Sequence, residues 1–144
     1  MTVGYLGSIT MDCADPPALA QFWCDILGGE ITESNEKFVS IKTPGTALTM
    51  IRVPDHRAPS WPDGAVPTQI HLDLFVDDLD AAVEEAVRLG ARIAAEQFAP
   101  DKCRVLLDPA GHPFCVCRRP TGRHGGGNRT RHIAMQAPDQ DEVL

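Results

Sequence analysis

The stretch DPAGHPFCVC, residues 108–117, places a turn sequence, a histidine and two cysteines close together. Cys115 and Cys117 project from one face if this stretch ends in a strand, because side chains alternate between faces along a strand. Thiolates at that spacing can bind Zn²⁺ or Cu(I), and together with His71 and Asp73 they form one candidate metal site. They can equally pack side by side, since free cysteine behaves as a small hydrophobic residue. We favour this second interpretation, which is the more common one.

His71 and Asp73 form a second group that can do chemistry, in the segment QIHLDLFV. Alternation places both on the strand face opposite Leu72 and Leu74. An imidazole so placed can bind a ligand or transfer protons, and we predict His71 and Asp73 as catalytic residues. The alternative is structural, with His71 hydrogen-bonded to a neighbour such as Asp73.

Asp12 lies in another alternating segment, SITMDC, and we interpret its position as equivalent to that of Asp73. Two carboxylates in an enclosed apolar site can have separated pKa values and act as acid and base. The alternative, which we favour, is that each carboxylate meets solvent or an arginine such as Arg52 or Arg104 at the rim.

The elements that position these residues recur twice along the chain. SITMDC predicts a strand, Asp15 caps a following helix that ends at Gly28, and GEITES, KFVSIKT and ALTMIRVP predict three more strands. The same order returns after the proline-rich segment 54–67. There QIHLDLFV precedes a helix that begins after Asp77 or Asp78, and ARIAAEQ, CRVLLD and PFCVCR follow as strands.

An internal repeat supports this interpretation, since one offset aligns Ser8 with His71 and Asp15 with Asp78. Each helix needs a sheet face, which leaves the other face of each sheet to line a cavity. We therefore predict an α+β fold in which two tandem βαβββ modules form a curved mixed sheet around a cup-shaped cavity. The predicted domain spans 1–117, with module one at about 5–53, a linker at 54–67, module two at 68–117 and a flexible tail at 118–144.

Composition excludes some classes of function. The 144-residue chain has a net charge of −7, whereas a nucleic-acid surface needs clustered Lys and Arg. The sequence contains no signal peptide pattern and no long apolar run, so we expect a cytoplasmic protein without membrane or nucleic-acid partners. Its five cysteines are expected to be small buried side chains in a reducing compartment.

The repeated modules, with HLDLFVDDLDAAVEEAVRLGA and RVLLDPAGHPFCVC, resemble the vicinal oxygen chelate superfamily, which includes glyoxalase I, bleomycin-resistance proteins and extradiol dioxygenases. The likeness is strongest to its glyoxalase-like domain branch and covers roughly residues 5–118. It implies a small-molecule ligand and a homodimer.

The resemblance also implies where a metal would be held. In metal-dependent members each module supplies a His or Gln from its first strand and a Glu from its last strand. The corresponding positions here are Ser8, Thr49, His71 and Cys115. Only His71 is a ligand of the family type, and neutral hydroxyls bind divalent cations poorly. We expect no metal ligands and no cofactor, with a divalent metal as the less favoured alternative.

Two aromatic residues complete the predicted site. Trp61, in the proline-rich segment, either covers the ligand or packs over its own linker. Phe75 is expected in the cavity wall. The predicted ligand-binding residues are Ser8, Asp12, Thr49, Trp61, Phe75 and Cys115.

The leading functional hypothesis is a small-molecule-binding protein that lacks the metal quartet and acts as a binder, a resistance-type sequestering protein or a metal-independent enzyme. The alternative is a metal-dependent lyase, isomerase or dioxygenase of glyoxalase type that uses His71. A structural or regulatory partner subunit is the third hypothesis. Whether the protein is an enzyme stays open at this point.

Overall fold

The computed structural model describes residues 6–119 and contains the βαβββ order twice, which confirms the predicted tandem modules. The first set comprises β1 (Ile9–Cys13), α1 (Pro16–Leu27), β2 (Glu30–Ser34), β3 (Phe38–Thr43) and β4 (Thr46–Arg52). The second comprises β5 (Leu72–Val76), α2 (Leu79–Arg88), β6 (Arg92–Ile93), β7 (Cys103–Leu107) and β8 (Pro113–Arg118). The predicted tail lies, from residue 120 onward, outside the described residues.

The chain divides into two compact units. The first holds the residues up to Ala58 together with Asp108–Gly111, and the second holds Pro59–Leu107 together with the residues from His112 onward. The division falls inside the segment 54–67. Each unit contains one helix and one four-stranded mixed sheet. The predicted domain boundaries and the cup-shaped cavity stay predictions.

Both sheets have the same strand order, which fixes the side chains that become neighbours. The first sheet runs β1-β4-β3-β2 and the second β5-β8-β7-β6, each with its first strand parallel to its last. In the first sheet Thr49 lies between Thr10 and Ser40. In the second, Asp73 lies beside Cys115 and Phe75 beside Cys117. Register partners project to the same side of a sheet, so each of these sets shares a face.

The first unit is built around the buried side chain of Trp23. Asp15 caps α1 by accepting a hydrogen bond from the Ala18 amide at 3.2 Å, and α1 packs on β3 and β4. Trp23 is fully buried, and its Nε1 donates to the Asp108 carboxylate at 3.1 Å. Asp108 is also fully buried and accepts from the Ala110 amide at 2.9 Å. The turn 108–111 is thereby fixed to the core of the first unit.

The second unit has a smaller helix core and a disulfide. Asp78 caps α2 by accepting from the Ala81 amide at 3.0 Å, and α2 packs on β7 and β8. Cys103 and Cys117 are register partners on these two strands and form a disulfide. The prediction of five free cysteines is therefore wrong for this pair, because the strand register brings their side chains together. The remaining cysteines, Cys13, Cys24 and Cys115, are free and buried as predicted.

Within residues 6–119, no helix is both long enough and apolar enough to cross a membrane.

Candidate functional site

Three residues of the second unit bring an imidazole, a carboxylate and a thiol together. The ligand atoms of His71, Asp73 and Cys115 all lie within 4.8 Å of one another. His71 Nε2 is 3.6 Å from the Asp73 carboxylate. The register of β5 and β8 sets Asp73 beside Cys115, and His71 lies two residues before Asp73 on the same face. Two predicted catalytic residues and one predicted ligand-binding residue thus form one group, the His71–Asp73–Cys115 cluster.

The three side chains of this cluster differ in their exposure. The side chains of His71 and Asp73 are 27% and 21% exposed, whereas Cys115 is buried. Burial and, to a smaller extent, the charge of Asp73 raise the pKa of the Cys115 thiol to about 12. Cys115 is therefore a neutral thiol at pH 7, and the resting cluster holds no thiolate nucleophile.

Neutral hydroxyls occupy the corresponding face of the first unit. Ser8 Oγ and Thr49 Oγ1 share a hydrogen bond of 2.9 Å, and Thr49 shares a second one of 3.0 Å with Ser40 Oγ. We call Ser8, Ser40 and Thr49 the hydroxyl face. Ser8 and Thr49 thus lie together, and their role in ligand binding stays a prediction. Ser40 lies beside them and was not among the predicted residues. The alternation of KFVSIKT contained the signal, since Ser40 lies opposite the buried Val39 and Ile41.

The predicted equivalence of Asp12 and Asp73 is wrong. Asp12 is exposed on β1 and pairs with Ile51, whereas Asp73 pairs with Cys115. The residue of the second unit that corresponds to Asp12 is Phe75. The offset that aligns Ser8 with His71 also aligns Asp12 with Phe75, because both strands keep the same alternation. Asp73 therefore has no matching carboxylate on β1.

Two aromatic residues predicted for the site lie in different surroundings. Trp61 packs edge-to-face on Phe98 with ring centroids 5.1 Å apart, and it contacts a buried cluster that includes Cys115 and Cys117. Trp61 therefore contacts residues of the second unit outside the segment 54–67. The contact with Phe98 was not predicted from the sequence. Phe75 on β5 is 41% exposed.

The residues present do not fit the four-ligand metal site that the resemblance implies. Two of the four positions carry the hydroxyls of Ser8 and Thr49, which are hydrogen-bonded to each other. Neutral hydroxyls are poor ligands for divalent cations. The other two positions carry His71 and Cys115, so that site retains one imidazole and one thiol.

Comparisons with known proteins identify the family of this chain. The family model for the glyoxalase-like domain matches residues 8–117. The chain belongs to the glyoxalase-like domain family. Its predicted membership of the vicinal oxygen chelate superfamily is confirmed. No curated protein matches this glyoxalase-like chain in sequence.

Solved structures share the fold of this glyoxalase-like chain at low sequence identity. A glyoxalase/bleomycin resistance protein/dioxygenase family enzyme from Burkholderia phytofirmans is 17% identical, with a TM-score of 0.62 over 80% of this chain and 98% of that chain. The bleomycin-binding protein from Streptomyces verticillus, complexed with copper(II)-bleomycin, is 22% identical, with a TM-score of 0.54 over 83% and 100%.

A third similar structure contains a metal. It is a variant of the fosfomycin resistance protein FosX from Listeria monocytogenes, complexed with Mn(II) and a dihydroxypropylphosphonic acid. It is 15% identical, with a TM-score of 0.60 over 81% of this chain and 90% of that chain. At these identities the likeness concerns the fold.

Proposed function

We propose that this glyoxalase-like domain binds a small organic molecule on the β5 face of its second unit, without the family's four-ligand metal site. The observation that carries the proposal is the partly exposed His71–Asp73 pair, with Phe75 exposed beside it on the same strand face. Ionisable side chains held together next to an exposed aromatic ring are typical of ligand sites.

The chemistry of the pair suggests what the ligand carries. A carboxylate accepts hydrogen bonds, and the imidazole of His71 can donate from one nitrogen and accept at the other. Phe75 offers an apolar surface beside them. A ligand with a cationic or hydrogen-bond-donating group and an apolar part matches these three side chains.

Two of the similar proteins support a small-molecule ligand. One is described as binding copper(II)-bleomycin and another as complexed with a phosphonic acid. We extend only the class of ligand, a small polar molecule, to this chain. Within that class we propose sequestration or metal-independent catalysis, in which His71 transfers a proton and Asp73 orients its ring.

Thermal-shift measurements on chelator-treated protein test this proposal. Bleomycin and dihydroxypropylphosphonic acid are the first probes, followed by a library of polar small molecules. We expect a bound compound to raise the melting temperature of the wild type, and His71→Ala and Phe75→Ala to remove most of that shift.

Val87→Ala is the matched control, because Val87 lies on α2 and is also 41% exposed. Its response to the compound should equal that of the wild type. If His71→Ala and Phe75→Ala also respond like the wild type, the ligand binds elsewhere and the proposal is wrong.

A metal-dependent lyase, isomerase or dioxygenase that uses His71 is the second candidate. The close approach of three ligand-type atoms in the His71–Asp73–Cys115 cluster favours it. This candidate predicts an activity that is lost on chelation and restored by a divalent metal. The homodimer, the cytoplasmic location and the absence of nucleic-acid partners stay predictions.

A further inference from the structure

The donor atoms of the His71–Asp73–Cys115 cluster have a chemistry of their own. They are an imidazole nitrogen, a carboxylate oxygen and a sulfur, all within 4.8 Å of one another. Two strands of one sheet position them, since Asp73 and Cys115 are register neighbours on β5 and β8. Ligand atoms in a tetrahedral zinc site are about 3 to 4 Å apart, given metal–ligand distances of about 2.0 to 2.3 Å. The cluster must therefore contract slightly when a zinc ion binds.

The placement of the cluster allows a cation to bind. Asp73 and Cys115 lie side by side on β5 and β8. A divalent cation binds a carboxylate and displaces the proton of a thiol that it coordinates. His71 and Asp73 are partly exposed, so a cation can reach the cluster from solvent.

The donor set selects among metals. Thiolate and imidazole ligands favour Zn²⁺ and its larger analogue Cd²⁺, whereas Mn²⁺ and Mg²⁺ prefer oxygen ligands. We propose that His71, Asp73 and Cys115 form a zinc site within the second unit, with three protein ligands and one position open to water or a ligand.

This site differs from the one that the resemblance implies in two ways. It uses Asp73, which is not at a family ligand position, and it uses no residue of the first unit. The proposed zinc site needs no organic molecule, so it goes beyond the leading proposed function, and it names the metal and the ligands that the second candidate leaves open. Its failure leaves the binding of organic compounds by chelated protein untouched, and the reverse also holds.

Cadmium titration of the chelator-treated, full-length protein is the direct test. Cd²⁺ bound to a thiolate gives a charge-transfer band in the ultraviolet, which histidines elsewhere in the chain do not produce. The protein is kept oxidised, so that Cys103 and Cys117 remain in their disulfide. We expect the band to saturate at one Cd²⁺ per chain, and Zn²⁺ but not excess Mn²⁺ to displace it.

Variants locate the site. Cys115→Ser should abolish the band, whereas Cys13→Ser, which changes a buried free thiol of the first unit, should leave it intact. Asp73→Asn and His71→Ala should keep a weaker band, with an affinity loss of at least about 100-fold, beyond the 10- to 100-fold typical of outer-shell partners. Circular dichroism confirms that each variant is folded, and the partly exposed Asp73 provides a test that does not alter the core.

Three results would overturn the zinc site. They are a full band in the Cys115→Ser variant, unchanged affinity in the Asp73→Asn variant, and displacement of Cd²⁺ by excess Mn²⁺. Absence of any band in the folded wild type would overturn it as well.

Discussion

The two units share one topology but differ in the side chains at corresponding positions. The first unit has neutral hydroxyls, Ser8 and Thr49, where the second has His71 and Cys115. Its helix carries the large, buried Trp23, whereas the repeat offset places the small Ala86 at the corresponding point of α2. The second unit has the ionisable cluster and a disulfide between β7 and β8.

This difference suits the first module to stabilising the fold and the second module to binding a ligand. A large aromatic side chain contributes most of its stabilisation through buried apolar area and close packing. Ionisable side chains on a sheet face cost stability unless they are partnered, and they supply chemistry. We therefore expect the first unit to dominate the stability of the core and the second to carry the ligand-binding chemistry.

Removing Trp23 has the largest expected effect. Trp23→Ala leaves a cavity in the first unit and should lower the free energy of unfolding by about 3 to 5 kcal/mol. Chemical denaturation measures it. Trp61→Ala, which removes a half-buried tryptophan of the second unit, is the matched control and should cost less. Equal losses for the two variants would contradict a dominant core in the first unit.

Loss of the disulfide comes next. Cys103 and Cys117 are separated by 14 residues, and opening a loop of that size should lower the free energy of unfolding by about 3 kcal/mol. Denaturation of the double variant Cys103→Ser and Cys117→Ser measures the loss. A dithiol reductant should produce the same loss in the wild type and no loss in the variant. Unchanged stability on reduction would show that the second unit does not depend on this bond.

Alkaline pH should reveal the buried thiol of the second unit. Below its ordinary pKa of 9.0, the Cys115 thiol is protonated in both the folded and unfolded chain, so it gives no pH dependence. Above that pH the unfolded chain releases a proton that the folded chain retains until about pH 12. Stability should therefore fall with rising pH by up to about 1.4 kcal/mol per pH unit from this group.

Denaturation of the wild type and two variants between pH 8 and 12 measures this slope. Cys115→Ser should reduce it. Cys13→Ser should reduce it over a narrower range, because burial raises the pKa of the Cys13 thiol only to about 11. Identical profiles for wild type and Cys115→Ser would refute the raised pKa in the second unit.

The helix caps have the smallest expected effect and form a matched pair. Asp15→Ala and Asp78→Ala each remove one carboxylate that accepts a hydrogen bond from a first-turn amide. Each change should cost about 1 kcal/mol, seen as a lower melting temperature. Similar costs would show that the two units share their local helix energetics, and a clear difference would mean that the caps are coupled to the unlike cores.

The order of elements could be predicted from the sequence because local signals repeat. Asp15 and Asp78 cap the helices as expected, and alternating residues form the strands. One predicted strand, ARIAAEQ, is reduced to Arg92–Ile93. The side-chain amide of Gln97 donates to the carbonyls of Ala94 and Val105 and accepts from the Val105 amide, so it replaces the ladder that a longer strand would form.

The site could be predicted only in part. The spacing of His71 and Asp73 on one strand places them together, and the resemblance to the family implies Cys115 at the same site. Ile70 continues the alternation of Leu72 and Leu74 in the sequence but is 77% exposed, because β5 begins at Leu72. The disulfide depends on the register of β7 against β8, which alternation within one strand does not determine.

The hydrogen bond between Trp23 and Asp108 has a consequence for synthesis and folding, because 85 residues separate its partners. Until residue 108 has been synthesised, the indole N–H of Trp23 lacks the Asp108 carboxylate that accepts its hydrogen bond in the folded chain. Burying that donor alone costs about 1 to 3 kcal/mol. A fragment that stops at residue 58 should therefore be less stable than the same unit in the full chain. The first module to emerge from the ribosome is completed by one of the last turns of the domain.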